Sequence, residues 1–251
     1  MQAVRNDKLF LVLLAGLIAL AWLSLWVWGQ SPYGRFLDHE ALTEVTSQDI
    51  GLLVFFVAGW TLMIFAMMLP TTMPLVNMFR TVTSDRSNHL ALSGFLAAGY
   101  LGVWMAFGVL VHVADLGVHE AAEQIRWLDS NDWVIGAGIL LFAGAYQFTP
   151  LKYHCLDKCR SPFSFITARW SGGNESVQAF RIGLDHGIFC LGCCWTLMLL
   201  MFGVGAGSVS WMLLLGSVMA VEKNMPWGRK LSTPLGLALI GSGLFTVFLN
   251  Y

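Results

Sequence analysis

What most limits the fold of this chain is a succession of seven apolar segments, near residues 9–28, 51–78, 90–114, 133–150, 181–204, 207–222 and 233–250. Each is close to the roughly 20 residues with which an α-helix crosses a hydrocarbon core about 30 Å thick. Inside lipid every backbone polar group must be satisfied internally, which leaves only helices and closed barrels. No segment shows the alternation of a barrel strand over about ten residues. The expected fold is therefore all-α, a polytopic membrane helix bundle of about seven transmembrane helices forming one domain over residues 1–251. Charge supports this: 12% of the residues are charged and 57% hydrophobic, whereas soluble domains carry about 25% charged residues. The same balance excludes an ordinary soluble enzyme and, without a basic face, a nucleic-acid partner. The first segment ends in Trp22, Trp26 and Trp28, where a signal cleavage site needs small residues, so it is expected to be an uncleaved span.

Orientation follows from the basic residues. Of the fourteen Lys and Arg, only Arg35 and Arg126 fall on one side of seven alternating spans. Cytoplasmic loops carry the excess of Lys and Arg, so the N-terminus is expected inside and Tyr251 outside a bacterial inner (plasma) membrane, with lipid as the first partner of this multi-pass chain. The outer loops hold two acidic groups, Asp38 to Asp49 and Asp115 to Asp132, expected to form a solvated rim. Glycines such as Gly94, Gly99, Gly102, Gly108, Gly136, Gly138 and Gly144 are expected to serve close helix packing.

Chemistry concentrates in the cysteines. All five lie between positions 155 and 194. At 100° per residue, His186, Cys190, Cys193, Cys194 and Met201 fall within a sector of about 100°. Neighbouring thiols on one helix rarely meet disulfide geometry. Buried cysteines also serve as small apolar residues, but three within five positions, one turn above a histidine, point to a soft-metal site. Thiolates with an imidazole suit Cu(I), Zn(II) or an iron–sulfur centre. Zinc remains possible, although a helix face supplies its closed tetrahedral set less well than paired turns do.

Methionine adds a second strand to the argument. In MIFAMMLPTTMP, Met67 and Met68 precede Pro70, and Met73 precedes Pro74. Each proline removes a backbone donor and clashes one turn back, so the segment should kink there and expose the carbonyls of Ala66 and Pro70. Thioethers select Cu(I) over zinc, calcium or magnesium, while methionine is also ordinary core filler. In the loop after the fourth segment, Cys155 and Cys159 would share a helical face beside His154. Lys152, Lys158 and Arg160 surround that pair, which suits metal entry or exit, or redox exchange, in a reducing compartment. Glu222 is an ionisable group within a span and thus a functional candidate, although Lys223 beside it allows simple pairing at the membrane edge.

The blocks MMLPTTMP, YQFTPLKYHCLDKCRSP, HGIFCLGCCWTLM and MAVEK together resemble a bacterial family catalogued as predicted metal-binding integral membrane proteins, a domain of unknown function. The resemblance covers roughly residues 50–230. It implies metal binding, and the positions matching its blocks are Met67, Met68, Pro70, Gln147, Pro150, Lys152, Cys155, Cys159, His186, Cys190, Cys193, Cys194 and Glu222. Thr71 stands where a serine or similarly small residue is expected.

The expected function is integral-membrane metal binding centred on Cu(I), by transport or by delivery to a membrane metalloenzyme, with a metallochaperone as a further partner. No nucleophile–base triad, phosphate loop or dinucleotide fingerprint points to an enzyme. Two alternatives stand beside this expectation. One is a membrane thiol–disulfide oxidoreductase, which would lack an outer terminus because the outer loops hold no cysteine. The other is a structural subunit of a larger membrane complex.

Overall fold

The computed structural model describes residues 2–30, 50–124, 131, 133–171, 173–204 and 208–250, and among these every regular element is helical. In chain order they are α1 (Gln2–Gly29), α2 (Ile50–Met67), α3 (Leu69–Val82), α4 (His89–Gln124), α5 (Trp133–Tyr146), α6 (Pro150–Cys159), α7 (Pro162–Thr167), α8 (Glu175–Val204), α9 (Val209–Asn224), a 3₁₀ turn at Gly228–Leu231, and α10 (Ser232–Asn250). The acidic residues Asp38, Glu40, Glu44, Asp49, Asp129 and Asp132, with Arg35 and Arg126, lie outside the described residues.

Among the described residues, four helical stretches are long and apolar enough to cross a membrane: Val12–Gly29, His89–Ala114, Glu175–Met201 and Gly228–Asn250. Two bent pairs raise the number to as many as six, α2 with α3 and α5 with α6, each bent by 67°. The remaining apolar segment is α9, whose 16 residues rise only about 24 Å and fall short of a full crossing. Against the expectation of about seven transmembrane helices, the described residues hold four straight candidate spans, two bent candidates and a short apolar helix.

Both bends have a covalent cause. Pro70 lacks the N–H that would bond the carbonyl of Ala66, and its ring clashes with the turn before it. The helix accordingly stops at Met67 and restarts at Leu69 with Pro70 in its first turn. Pro74 frees the carbonyl of Pro70 in the same way, and Asn224 Nδ2 donates to that oxygen at 3.4 Å. At the second bend, Thr149 caps α6 by accepting from the Lys152 amide at 3.3 Å, with Pro150 at the first helical position, where a missing N–H costs nothing.

Helix α8 is the most enclosed of the long helices, and α1 and α10 the most peripheral. Against α4 it packs backbone to backbone. A Cβ on Gly99 would collide with the carbonyl of Phe180, and one on Gly183 with the carbonyl of Leu96. Small residues that permit such approach are the usual device of helix association in lipid. The α5–α10 contact is built likewise, a Cβ on Gly144 coming within 2.9 Å of Gly236 O. The packing role expected of the glycines therefore holds at Gly99, Gly108 and Gly144. It does not hold at Gly94, Gly102, Gly136 or Gly138, where a Cβ would meet nothing within 4 Å.

Candidate metal centre

The sulfurs gather where α8 is wrapped by the α2–α3 break, by α6 and by α9. Along α8, His186, Cys190, Cys193, Cys194 and Met201 are all buried, as the helical sector requires. Cys193 and Cys194 donate back to the Cys190 carbonyl at 3.0 and 2.9 Å. This satisfies each thiol locally and keeps the three sulfurs on one side of the helix.

Helix α6 brings the other two cysteines to this face. Because it bends away from α5 by 67°, the segment 150–159 lies against α8 and does not run on as a solvated loop. A Cβ on Gly192 would come within 2.6 Å of Cys155 Sγ. Only a glycine lets that thiol settle on the α8 backbone. One turn on, Cys159 is buried in the same core cluster as Cys190 and Cys193. Cys155 and Cys159 thus share one face as their spacing predicts, but as buried groups of the core rather than as a pair at the water interface.

The basic residues expected around that pair point elsewhere. Lys152 is fully buried and donates from Nζ to Glu222 Oε1 at 2.7 Å and to Gln147 Oε1. Ser232 Oγ donates to the same carboxylate oxygen at 2.6 Å. Gln147 Nε2 donates to the Ala143 carbonyl at 3.1 Å. Arg160 binds the carbonyls of Glu222 and Pro226, and Lys158 is exposed. Glu222 is therefore held by an ammonium and a hydroxyl, away from the thiols, and its carboxylate ties α6, α9 and the start of α10 together.

The cation that does face the sulfurs is Lys223. Adjacent helical residues diverge by about 100°, so Lys223 leaves α9 on a different bearing from Glu222. Its Nζ lies 3.0 Å from Cys190 Sγ, 3.7 Å from Cys194 Sγ, 4.0 Å from Met68 Sδ and 3.4 Å from Thr71 Oγ1. Tyr100 OH and Cys190 Sγ share a hydrogen bond of 3.2 Å. Sequence reasoning set Lys223 at the membrane edge as a partner for Glu222. The signal that could have found it is the four-residue step from Met219 to Lys223, which puts the lysine on the same helical face as a methionine buried in the core.

The methionines divide. Met68, at the helix break, is wholly buried and reaches the Lys223 head group. Met67 is buried in the same core and packs toward Gly216 of α9. Met73 is half-buried and belongs to neither apolar core cluster. His186 is buried with Nδ1 lacking a hydrogen-bond partner, and its ring lies 5.9 Å from that of Tyr100. Both residues line an apolar cavity between the α2–α3 break and α4.

Among the described residues, no three His, Cys, Asp or Glu side chains converge closely enough to enclose a metal ion. Two of the thiols, Cys190 and Cys194, lie against an ammonium. What the arrangement offers is a buried, sulfur-rich compartment supplied by four helical elements, with four thiols, one thioether and one ammonium. Soft donors in this setting suit a soft monovalent ion far better than a hard divalent one.

Comparison with known proteins bears on this compartment. The family model PpoB2, described as a copper chaperone, matches residues 57–246, which include every residue of the sulfur cluster. No curated protein and no solved structure matches the chain.

Proposed function

Because the chain belongs to the PpoB2 family of copper chaperones, we propose that it holds Cu(I) within a membrane, on the sulfurs of Cys190, Cys194 and Met68, and passes the ion to a membrane metalloenzyme. The observation that carries this reading is the approach of Cys190 and Cys194 from α8 and Met68 from the α2–α3 break to one buried point, at 3.0, 3.7 and 4.0 Å. Copper is the cargo, and Cu(I) with two or three sulfur ligands has the low coordination number that such a point can supply. To close around an ion at the position of Nζ, the sulfurs that surround it at 3.0 to 4.0 Å would draw in by roughly 0.7–1.7 Å, since metal–sulfur bonds are near 2.3 Å. Cys159 and Cys193 stand next to this set as successive holding points. A chain of thiols with similar affinity lets the ion step from one to the next without becoming free.

The reading places seven crossings in a bacterial inner membrane, with the N-terminus and the segment 151–180 on the cytoplasmic side, supported by the distribution of Lys and Arg. Helix α9 then crosses as a short helix in a locally thinned or protein-lined part of the bilayer. Apolar side chains left open on the peripheral helices, such as Leu110, Leu237 and Phe248, favour a lipid surrounding.

The test is an anaerobic Cu(I) titration of the full chain in detergent against a competing chelator. The expected result is one tightly held Cu(I) per chain, lost in the Cys190→Ser/Cys194→Ser variant, because a hydroxyl replaces a soft thiolate at unchanged size. Wild-type stoichiometry and affinity in that variant would remove the assignment. A thiol–disulfide relay would instead cycle the pair formed by Cys159 with Cys190 or Cys193 between thiol and disulfide when supplied with an electron donor.

A further inference from the structure

Lys223 is only 6% exposed, and a buried ammonium is expensive in a lipid-embedded protein. The nearest carboxylate along its own helix, Glu222, is already bound by Lys152 and Ser232. The ammonium is held instead by the thiols of Cys190 and Cys194, the thioether of Met68 and the hydroxyl of Thr71, at 3.0, 3.7, 4.0 and 3.4 Å. These three sulfurs belong to α8 and to the α2–α3 break, so the ammonium stands at a common focus of separate elements. A metal ion bonded to the same sulfurs at about 2.3 Å would occupy the space that Nζ fills. Both cannot be there together.

We propose that Lys223 is a tethered occupant of the copper cage, its ammonium and Cu(I) competing for the sulfurs of Cys190, Cys194 and Met68. The proposal rests on the copper reading above and adds to it a residue that governs release. Binding of Cu(I) to Cys190 and Cys194 as thiolates releases their two thiol protons, and these return to the sulfurs when the ion leaves. The lysine stem is flexible over four carbons, and buried Thr71 Oγ1, already 3.4 Å from Nζ and itself donating to the Met68 carbonyl at 2.7 Å, remains an oxygen acceptor for the head group as it withdraws from the sulfurs. When copper leaves for a partner, the ammonium returns. The chaperone thereby avoids holding its cargo too firmly to give it up.

Two substitutions in the full chain test this, each read as the rate and extent of Cu(I) loss to a Cu(I)-selective chelator under anaerobic conditions. Lys223→Leu removes the competitor and should slow copper loss at least tenfold. Lys223→Arg retains the charge in a larger planar group that is always ionised, and should weaken copper binding at least tenfold. A lysine that merely balanced metal-bound thiolates would give the opposite pattern, with Leu weaker and Arg near wild type. Copper loss from Lys223→Leu at or above the wild-type rate overturns the proposal. Should the Leu variant fail to elute as folded protein, the Arg variant decides, and wild-type affinity there overturns it. If Cys190→Ser/Cys194→Ser loses copper while both Lys223 variants match wild type, only the lysine inference fails. If that double variant keeps its copper, the copper site itself falls.

Discussion

Replacing Lys152 by methionine should destabilise the protein strongly without changing how much copper it binds. Lys152 is fully buried, Glu222 is 2% exposed, and their 2.7 Å contact joins the broken α5–α6 span to α9. Methionine matches the stem of lysine but leaves the Glu222 carboxylate with Ser232 Oγ as its remaining side-chain donor. Removing one partner of a buried ion pair costs about 3–5 kcal/mol, because the other charge stays buried without compensation. For a chain of this size, each kcal/mol corresponds to about 2–4 °C in Tm, so the melting temperature in detergent should fall on the order of 10 °C. Adding Glu222→Gln should recover most of the loss, since an amide keeps an acceptor for Ser232 and needs no counter-charge. Thermal unfolding of the two single variants and the double variant closes the cycle. A cost below about 1 kcal/mol for Lys152→Met, or a double variant no more stable than the single, would refute the reasoning. Copper stoichiometry measured on the same samples separates this role from ligation: Glu222→Gln should keep one Cu(I) per chain.

Three further outcomes are expected. Gly183→Ala places a Cβ on the backbone carbonyl of Leu96, so α4 and α8 must part at a cost of about 1–3 kcal/mol, visible as a lower Tm, whereas Gly102→Ala, facing open space, should be neutral. Met68→Leu removes only a thioether, so folding should survive with a cost under about 1.5 kcal/mol while the chelator concentration needed to strip copper falls. An engineered cysteine in the 151–180 segment should resist an impermeant thiol reagent in intact cells, and one in the 29–50 segment should react. Labelling of the former from outside would reverse the orientation.

Much of this was legible in the sequence where periodicity or covalent geometry governs. The α8 face follows from 100° per residue, and the break before Pro70 follows from a missing donor and a ring clash. Tertiary direction was not legible. Nothing local says that α6 turns back onto α8, and the basic residues beside Cys155 and Cys159 suggested solvent, yet Lys152 has a buried carboxylate to meet. Glu222 and Lys223 read as a pair at the membrane edge, but the helical bearing between neighbours sends one to Lys152 and the other to the thiols. Met68 and Met73 look equivalent beside their prolines, and only the position of the break decides that Met68 reaches the cluster. Pattern alone likewise could not tell Gly99, set against the Phe180 carbonyl, from Gly102, set against nothing.

The central claim is that copper sits as Cu(I) on sulfur where α8 meets the α2–α3 break, and X-ray absorption at the copper edge of the copper-loaded full chain tests it most directly. The account predicts a Cu(I) edge with two or three sulfur neighbours near 2.3 Å, and one sulfur fewer in Met68→Leu. A Cu(II) edge, or a shell of nitrogen and oxygen that the Cys190→Ser/Cys194→Ser variant leaves unchanged, would contradict it.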